Sequence, residues 1–405
     1  MASRICTVSI HAGVITLFGA IISHMSYNEL RDPIWVDTLP VLKNLAEKLA
    51  AGPAFAVDTE SNSLFAYREQ VCLVQITTFG GDDYVIDPLA IKDLSPLGPL
   101  FADESIEKVF HAGEYDLICL KRDYGFEFRN LFDTMIAGRI LGRDVVGLSA
   151  MLEVEFGITL DKKWQRANWG IRPMPAAQLA YARMDSHFLI PLRDILYREL
   201  TDNERMALAR EDFHRLERTP VPQVNGEKDT IWKIVGRTDI TPSQMAVLQR
   251  LYEYRDSQAR RANLPPFKIL SNDALVAITQ ALPQKMEDLE TITGLSPRLR
   301  ERHGSSLLEC VARGLNSEPP RRPRCPRKDE DLILRLESLK SWRKKTAARF
   351  HVESDVILPR EVVEQVAGVN PRSIGELSAL MTQFPWRLEQ FGPEIIQTLQ
   401  PGEQA

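Results

Sequence analysis

The sequence predicts an α/β domain with a mixed sheet, followed by two small all-α domains. Short apolar runs separated by turn residues occupy the region from Phe55 to Ile86. Strand and helix patterns alternate from there to about Leu200, and strand patterns disappear beyond Arg218. A meander followed by mixed strands and helices is typical of a sheet covered by helices, whereas helical spacing alone indicates helical bundles.

Composition limits the class of protein. The chain has 405 residues, which is enough for two or three domains that each bury a core. Its 44% hydrophobic and 26% charged residues are ordinary for a globular protein and exclude a membrane bundle. The formal net charge of -5 does not indicate nucleic-acid binding, although a basic face on one domain could be hidden in this total.

The cysteines indicate a reducing compartment. They are scattered, odd in number and without C-x-x-C spacing: Cys6, Cys72, Cys119, Cys310 and Cys325. Free thiols are expected in such a pattern, and a structural zinc site is not. We therefore expect a cytoplasmic protein.

Residues 1–28 are expected to be an extension outside the fold. Arg4 followed by the apolar run from Val14 to Ile22 loosely resembles a signal peptide. The run is too short to span a bilayer, and no small-x-small cleavage site follows it. An upstream start or a non-structural extension is the simpler interpretation.

The elements of the first domain are predicted from spacing and turn residues. Apolar residues at helical spacing predict a helix over 39–49, which ends at Ala51-Gly52-Pro53. The other predicted elements, in order, are strands over 55–60, 71–77, 84–86 and 108–111, a helix over 112–122, a new unit from 131, helices over 136–141 and 148–156, and one long helix from 175 to about 200.

Two carboxylates end the first strand of the meander. Asp58 and Glu60 stand at i and i+2, so a strand places both on one face. Their mutual repulsion is relieved if they are solvated or if a hard cation such as Mg²⁺ or Mn²⁺ neutralises them. The stretch therefore suggests a metal site, with two exposed acids at a strand end as the alternative.

Three more polar residues and one basic segment are candidates for the same site. Asp116 lies on the helix after the 108–111 strand, and Tyr181 and Asp185, at i and i+4, share a helix face. The segment 160–173 is basic and contains Trp164 and Trp169. Its tryptophans could cover a core edge or stack on bases, and the sequence leaves both interpretations open.

An internal repeat organises the second half of the chain. At an offset of 88 residues, seven positions recur: Leu248, Leu251, Tyr254, Arg255, Ala259, Leu270 and Leu289 correspond to Leu336, Leu339, Trp342, Arg343, Ala347, Leu358 and Leu377. The predicted divisions of the chain are 29–218 for the α/β domain, 219–234 for a linker, 235–315 for the first repeat, 316–328 for a basic Pro-rich linker and 329–400 for the second repeat.

Taken together, the acids and the tyrosine resemble the DEDD exonucleases. Tyr181 places the chain in the tyrosine-type subgroup, because the histidine type would need His at position 180, where Ala180 stands. The sequences His111-Ala112-Gly113-Glu114-Tyr115-Asp116, Asn168-Trp169, Arg172-Pro173 and Tyr181-Ala182-Arg183-Met184-Asp185 are similar to ribonuclease D. The repeats resemble the helicase-and-RNase-D C-terminal (HRDC) domain. This resemblance implies a ribonuclease H-like exonuclease domain followed by two HRDC domains.

The resemblance also implies the site chemistry. Four acids, Asp58, Glu60, Asp116 and Asp185, are expected to hold two divalent ions, Mg or Mn, with Asp58 the bridge. Tyr181 is expected to orient the attacking water, since a phenol with a pKa near 10 is a poor base at neutral pH. The expected substrate-binding residues are Thr59, His111, Trp169 and Arg172, although a packed core histidine is an alternative role for His111.

The expected activity is that of a 3′-to-5′ exoribonuclease. It would release 5′-mononucleotides and trim the 3′ ends of tRNA precursors and other structured RNAs, as a monomer without membrane attachment. The alternatives are a DNA 3′-5′ exonuclease and a non-catalytic RNA-binding protein, although all four acids are present. Basic residues of the repeats, such as Arg255 and Arg343, could contact phosphates, or the repeats could serve stability or assembly.

Overall fold

The computed structural model of the protein describes residues 31–160, 163–222, 230–236, 238–321 and 329–400. The extension predicted for residues 1–28 lies outside them, as do residues 223–229 and 322–328 of the two predicted linkers. Within the described ranges, no helix has both the length and the apolar character needed to cross a membrane. The described residues divide into two compact units.

The first unit is built on a six-stranded mixed sheet. Its strands, in chain order, are β1 (Ile34–Val36), β2 (Ala54–Ser61), β3 (Val71–Thr78), β4 (Asp83–Ile86), β5 (Glu107–Phe110) and β6 (Leu131–Asp133). They lie side by side in the order β1-β4-β3-β2-β5-β6. Strands β3 and β4 are antiparallel, whereas β4 runs parallel to β1, and β5 runs parallel to both β2 and β6. The predicted mixed sheet is confirmed; β1 escaped prediction because three residues are too few to show a period.

Helices surround this sheet. In chain order they are α1 (Leu39–Ala50), α2 (Pro88–Ile91), α3 (Gly98–Ala102), α4 (Glu114–Tyr124), α5 (Thr134–Leu141), α6 (Leu148–Phe156), α7 (Ala176–Ala182), α8 (Met184–His187), α9 (Leu189–Asp202) and α10 (Met206–Glu217). The prediction of one continuous helix from 175 to 200 is wrong, because the chain there forms α7, α8 and α9 with breaks at Arg183 and Phe188. Apolar residues keep helical spacing across both breaks, so the period does not reveal them.

Side-chain alternation along β2 distributes its residues between two cores. Phe55 and Val57 belong to one buried cluster, which also contains Leu117 and Leu120 of α4. Ala56 belongs to a second cluster, together with residues of α8 and α9 such as Met184 and Leu189. Because successive side chains of a strand point to opposite faces, even-numbered β2 residues face α8 and α9, and odd-numbered ones face α4.

The second unit contains the first repeat. Its helices are α11 (Thr230–Val235), α12 (Pro242–Ala262), α13 (Pro266–Ile269), α14 (Asn272–Ala281) and α15 (Pro297–Leu315). Residues 61–70, which connect β2 to β3, also belong to this unit. Within it, the Tyr67 hydroxyl donates to Asp256 Oδ1 of α12 at 2.7 Å, and the Tyr67 amide donates to Asn263 Oδ1 at 3.3 Å.

The second repeat copies the helix pattern of the first. Its helices are α16 (Glu330–Phe350), α17 (Ser354–Ile357), α18 (Arg360–Val369), α19 (Ile374–Leu380) and α20 (Pro385–Leu399). Helices α16, α17 and α18 have the same lengths as α12, α13 and α14 and begin 88 residues after them. The repeated arginines are internal: Arg255 donates to the Leu270 carbonyl at 3.2 Å and Arg343 to the Leu358 carbonyl at 2.9 Å. Those two guanidinium groups therefore serve the fold rather than the phosphate contacts considered for them.

The second repeat belongs to the first unit. A buried arginine of the repeat joins it to helix α10. Arg387, with 0% of its side chain exposed, pairs with Glu211 Oε2 and Asp212 Oδ2 of α10, each at 2.8 Å. Its guanidinium also donates to the carbonyls of Val356 and Ile357 at 2.8 and 3.1 Å. Val356 itself packs into the cluster that contains α8 and α9. For the second repeat, these contacts favour the stability role that the sequence left open.

Replacing Arg387 with methionine should lower the free energy of unfolding of the first unit by about 3–5 kcal/mol, because Glu211 and Asp212 would remain buried without their cation. Denaturant unfolding followed by circular dichroism measures the change. Arg360→Met is the matched control from the same repeat, since Arg360 is 83% exposed and its pair with Glu364 lies in water. Equal unfolding midpoints for the two variants would contradict the fastening role.

Candidate active site

The end of β2 brings the first two predicted ligands to the site. Residues 54–57 are buried, while Asp58 and Glu60 are partly exposed where the strand reaches the edge of the core. Both point to the α8 side of the sheet, where Asp185 lies. Asp58, Glu60 and Asp185 each offer a carboxylate oxygen within 4.8 Å of the other two. The structure therefore brings together three of the four predicted ligands.

Asp116 approaches from the other side of β2. It lies in the first turn of α4, the helix predicted for it, and its Oδ1 accepts hydrogen bonds from the amide of Thr59 at 3.1 Å and from the Thr59 hydroxyl. Thr59 is odd-numbered on β2 and thus faces α4, which explains the pairing. Both bonds use Oδ1, so Asp116 keeps Oδ2 for another partner.

Burial makes this group of acids costly in the absence of a cation. Burial and, after it, the charges of Asp116, Asp185 and Glu60 raise the pKa of Asp58 well above its usual range. Burial and the same kind of repulsion raise the pKa of Glu60 to about 9. Burial likewise raises the pKa of Asp116 and of Asp185 to about 7. A divalent cation among these groups would reverse the effect, because its charge favours the ionised carboxylates.

The donors present fit a divalent cation of the magnesium type. All four are carboxylates, and hard cations prefer oxygen ligands. Three of them converge within 4.8 Å, and no cysteine or histidine belongs to that group of described residues. A zinc site would instead be expected to include sulfur or imidazole ligands.

Tyr181 faces the acids from α7 and is 8% exposed. Burial, followed by the charges of Asp185, Glu60 and Asp58, raises the pKa of its phenol, so the phenol stays protonated at neutral pH. The polar side chain of Gln165 acts on this phenol as well and, against those causes, lowers its pKa. Sequence reasoning missed Gln165, because no period shows which residue of an irregular loop turns toward a site.

Two predicted substrate-binding residues have protein partners. Trp169 is 1% exposed, and its ring centroid lies 6.1 Å from that of Tyr181, so its indole covers a core edge and supports the tyrosine. The Arg172 guanidinium donates two hydrogen bonds of 2.7 Å to the Asp87 carboxylate. It also donates to the carbonyls of Trp169 and Cys72 at 2.8 and 2.9 Å. The structure therefore uses Trp169 and Arg172 to hold the 163–173 loop against the sheet.

His111 lies at the end of β5, with Nδ1 2.8 Å from the Thr134 hydroxyl. Burial lowers the pKa of its imidazole, which is neutral at physiological pH. Thr134 Oγ1 lies 3.1 Å from the Phe110 carbonyl, to which it donates, so it accepts the proton of His111 Nδ1. This leaves Nε2 as the unprotonated ring nitrogen.

Comparison with known proteins is consistent with this geometry. Residues 33–201 match the family model described as 3′-5′ exonuclease, and residues 244–311 and 334–399 match the HRDC domain. Ribonuclease D of Desulfotalea psychrophila is 30% identical over 284 residues, which cover 70% of this chain and 76% of that protein. Ribonuclease D of Acidiphilium cryptum is 29% identical over 90% of this chain and 92% of its own length.

A eukaryotic relative and a solved structure show the same likeness. The exosome complex exonuclease RRP6 of Saccharomyces cerevisiae is 33% identical over 285 residues, and the chain spans 39% of its length. The crystal structure of Escherichia coli RNase D, an exoribonuclease involved in structured RNA processing, is similar with a TM-score of 0.65 at 26% identity. That similarity covers 92% of this chain and all of the other.

Proposed function

Because the chain belongs to the ribonuclease D family of 3′-5′ exoribonucleases, we propose that it hydrolyses RNA from the 3′ end with two divalent ions, Mg or Mn, and releases 5′-mononucleotides. Its fold is the ribonuclease H-like exonuclease fold followed by two HRDC domains. The convergence of Asp58, Glu60 and Asp185 within 4.8 Å carries the proposal. Exonucleases of this family depend on divalent metal.

Each site residue has a role in this proposal. Asp58, Glu60, Asp116 and Asp185 would hold the cations, Asp58 as the shared ligand and Asp116 through the oxygen that does not accept from Thr59. When bound, such ions activate water and stabilise charge on the attacking and leaving oxygens. Tyr181 keeps its proton and orients the attacking water.

The remaining predicted residues divide into two groups. Thr59 contacts Asp116, and His111 follows β5 and contacts Thr134; both are proposed to contact the terminal nucleotide. Trp169 and Arg172 are also proposed to bind substrate, besides the contacts by which they hold Tyr181 and the 163–173 loop. We also assign residues 29–218 to the exonuclease domain and 235–315 and 329–400 to the helical domains, with 219–234 and 316–328 as linkers, except that α11 extends the first helical domain back to Thr230, because Ile231 is buried in its core.

The proposed substrates are tRNA precursors and other structured RNAs. The E. coli relative acts in structured RNA processing, which supports this choice. Exposed basic side chains of the first repeat, such as Arg260 at 67% exposure, can reach backbone phosphates. A monomeric state and a cytoplasmic location are proposed with this function; the described cysteines, Cys72, Cys119 and Cys310, are not joined in disulfides.

Matched RNA and DNA oligonucleotides with 5′ labels test the proposal. We expect a ladder of RNA shortened from the 3′ end in Mg²⁺ or Mn²⁺, no cleavage in EDTA, and slower shortening of DNA, because a site for RNA can bind the 2′-hydroxyl. Faster digestion of DNA would support the DNA exonuclease alternative instead. Binding without cleavage of either strand would leave the non-catalytic alternative.

A further inference from the structure

Helix α8 carries Asp185 but cannot hold it in place alone. The helix has four residues, Met184–His187. Single non-helical residues, Arg183 and Phe188, separate it from the helices before and after it. A single helical turn has too few backbone hydrogen bonds to be stable by itself. The acids around Asp185 repel it as well, so contacts outside the helix must keep its carboxylate near Asp58.

The two residues after Asp185 supply such contacts. His187 Nδ1 lies 2.9 and 2.8 Å from the two carboxylate oxygens of Asp83, the first residue of β4. The side chains of His187 and Asp83 are 15% and 6% exposed. Because an ionised carboxylate only accepts hydrogen bonds, His187 carries its proton on Nδ1 and donates it to Asp83.

A second connection runs through buried hydroxyl groups. Thr77 on β3 is the cross-strand neighbour of Asp83 and donates to its Oδ1 at 2.8 Å. Thr77 Oγ1 also lies 2.8 Å from Ser186 Oγ. Thr77 has one hydroxyl proton and gives it to Asp83, so Ser186 donates to Thr77. Ser186, Thr77, Asp83 and His187 thus join α8 to the sheet by a continuous set of hydrogen bonds.

We propose that Asp83 and His187, together with Thr77 and Ser186, are positioning residues that hold the metal ligand Asp185 against its neighbouring acids. The inference rests on the proposed metal-dependent function. Without these bonds, repulsion from Asp58 and Glu60 would displace α8. Part of the free energy of cation binding would then be used to return Asp185 to the site. Cation affinity would fall, whereas the cleavage rate at saturating cation would be largely kept.

Metal titration of the full chain tests the anchor. We expect His187→Ala to raise the Mn²⁺ concentration for half-maximal cleavage of single-stranded RNA by about 10- to 100-fold, the usual effect of losing a residue that orients a metal ligand. The rate at saturating Mn²⁺ should stay within about threefold. His187→Asn, whose amide can replace the Nδ1 donor, should restore most of the affinity.

Two further variants separate positioning from general damage. His303→Ala is the matched control, since His303 is also buried and bonded through Nδ1, 2.8 Å from the Tyr254 hydroxyl in the second unit, and it should leave the Mn²⁺ midpoint unchanged. Thr77→Val keeps the side-chain shape but removes both hydroxyl bonds, so it tests the anchor if His187→Ala fails to fold. An unchanged Mn²⁺ midpoint in the folded variant, or a loss of rate that saturating Mn²⁺ does not repair, would overturn the inference.

Calorimetric Mn²⁺ binding without RNA distinguishes this inference from the proposed function. If wild-type protein binds Mn²⁺, His187→Ala binds it more weakly and neither cleaves RNA, the anchor stands and the exonuclease proposal fails. If RNA is cleaved but His187→Ala binds Mn²⁺ as the wild type does, the anchor fails and the exonuclease proposal stands.

Discussion

Replacing Asp58 with asparagine should abolish RNA hydrolysis while RNA still binds. The substitution keeps the side-chain size but removes one negative charge from the residue that all the other acids act upon. Loss of several kcal/mol of charge stabilisation lowers the rate by about 10³-fold or more, at roughly 1.4 kcal/mol per factor of ten. Single-turnover cleavage and fluorescence anisotropy with 5′-labelled RNA measure the two effects.

The same variant should be more stable than wild type in EDTA. Burial and repulsion disfavour the charged form of Asp58, so a neutral side chain relieves a cost of the metal-free fold. Thermal unfolding should therefore show a higher midpoint in EDTA and a smaller gain on adding Mn²⁺. Asp93→Asn serves as the control, because Asp93 is exposed and caps a local turn at Ser95. Turnover of Asp58→Asn near the wild-type rate in Mg²⁺ would refute the ligand assignment.

Replacing Tyr181 with phenylalanine should lower the cleavage rate by about 10²- to 10⁴-fold, the range for groups that position a proton or a water. The phenol stays protonated, so it contributes a hydrogen bond rather than a negative charge to the site. Mn²⁺ binding measured by calorimetry should therefore be unchanged. The rate loss should persist at saturating Mn²⁺, unlike that of His187→Ala.

Tyr84→Phe provides the matched control for Tyr181→Phe. Tyr84 is a buried tyrosine of β4, and its hydroxyl accepts a hydrogen bond from Lys48 Nζ at 2.8 Å. Its loss removes one hydroxyl from the first unit without touching the acids, so the cleavage rate should stay near that of the wild type. If Tyr181→Phe instead loses bound Mn²⁺, the tyrosine is structural and not an orienting group.

Several features of the protein could be predicted from residue spacing because they depend on local geometry. Asp58 and Glu60 share a face because a strand alternates every residue, and β2 has that form. The 88-residue offset identified two copies of one helical pattern, and α12 and α16 begin 88 residues apart. In the first case the period of the backbone decides which side chains share a face, and in the second a repeated sequence specifies repeated helices.

Contacts between residues distant in sequence decided where the helix after residue 175 is interrupted and where the side chains of the 163–173 loop lie. Tyr181 and Asp185 belong to separate helical segments, α7 and α8. Ser186 and His187, which follow Asp185, bond to residues of the sheet, and the sequence pattern does not show these contacts. The sequence left open whether Trp169 covers a core edge, and the structure buries it, while Arg172 pairs with Asp87, 85 residues away in sequence.

The sequence by itself indicated which acids and which tyrosine belong to the site, because strand spacing pairs Asp58 with Glu60 and the resemblance to ribonuclease D implies the others. Only the tertiary structure decided that Thr59 binds Asp116 and that Arg387 fastens the second repeat to α10. The partners in these pairs are 57 and 176 residues apart. Pairs this far apart form when two surfaces pack and are buried from water. The spacing of apolar residues along a helix or strand does not show which surfaces will pack.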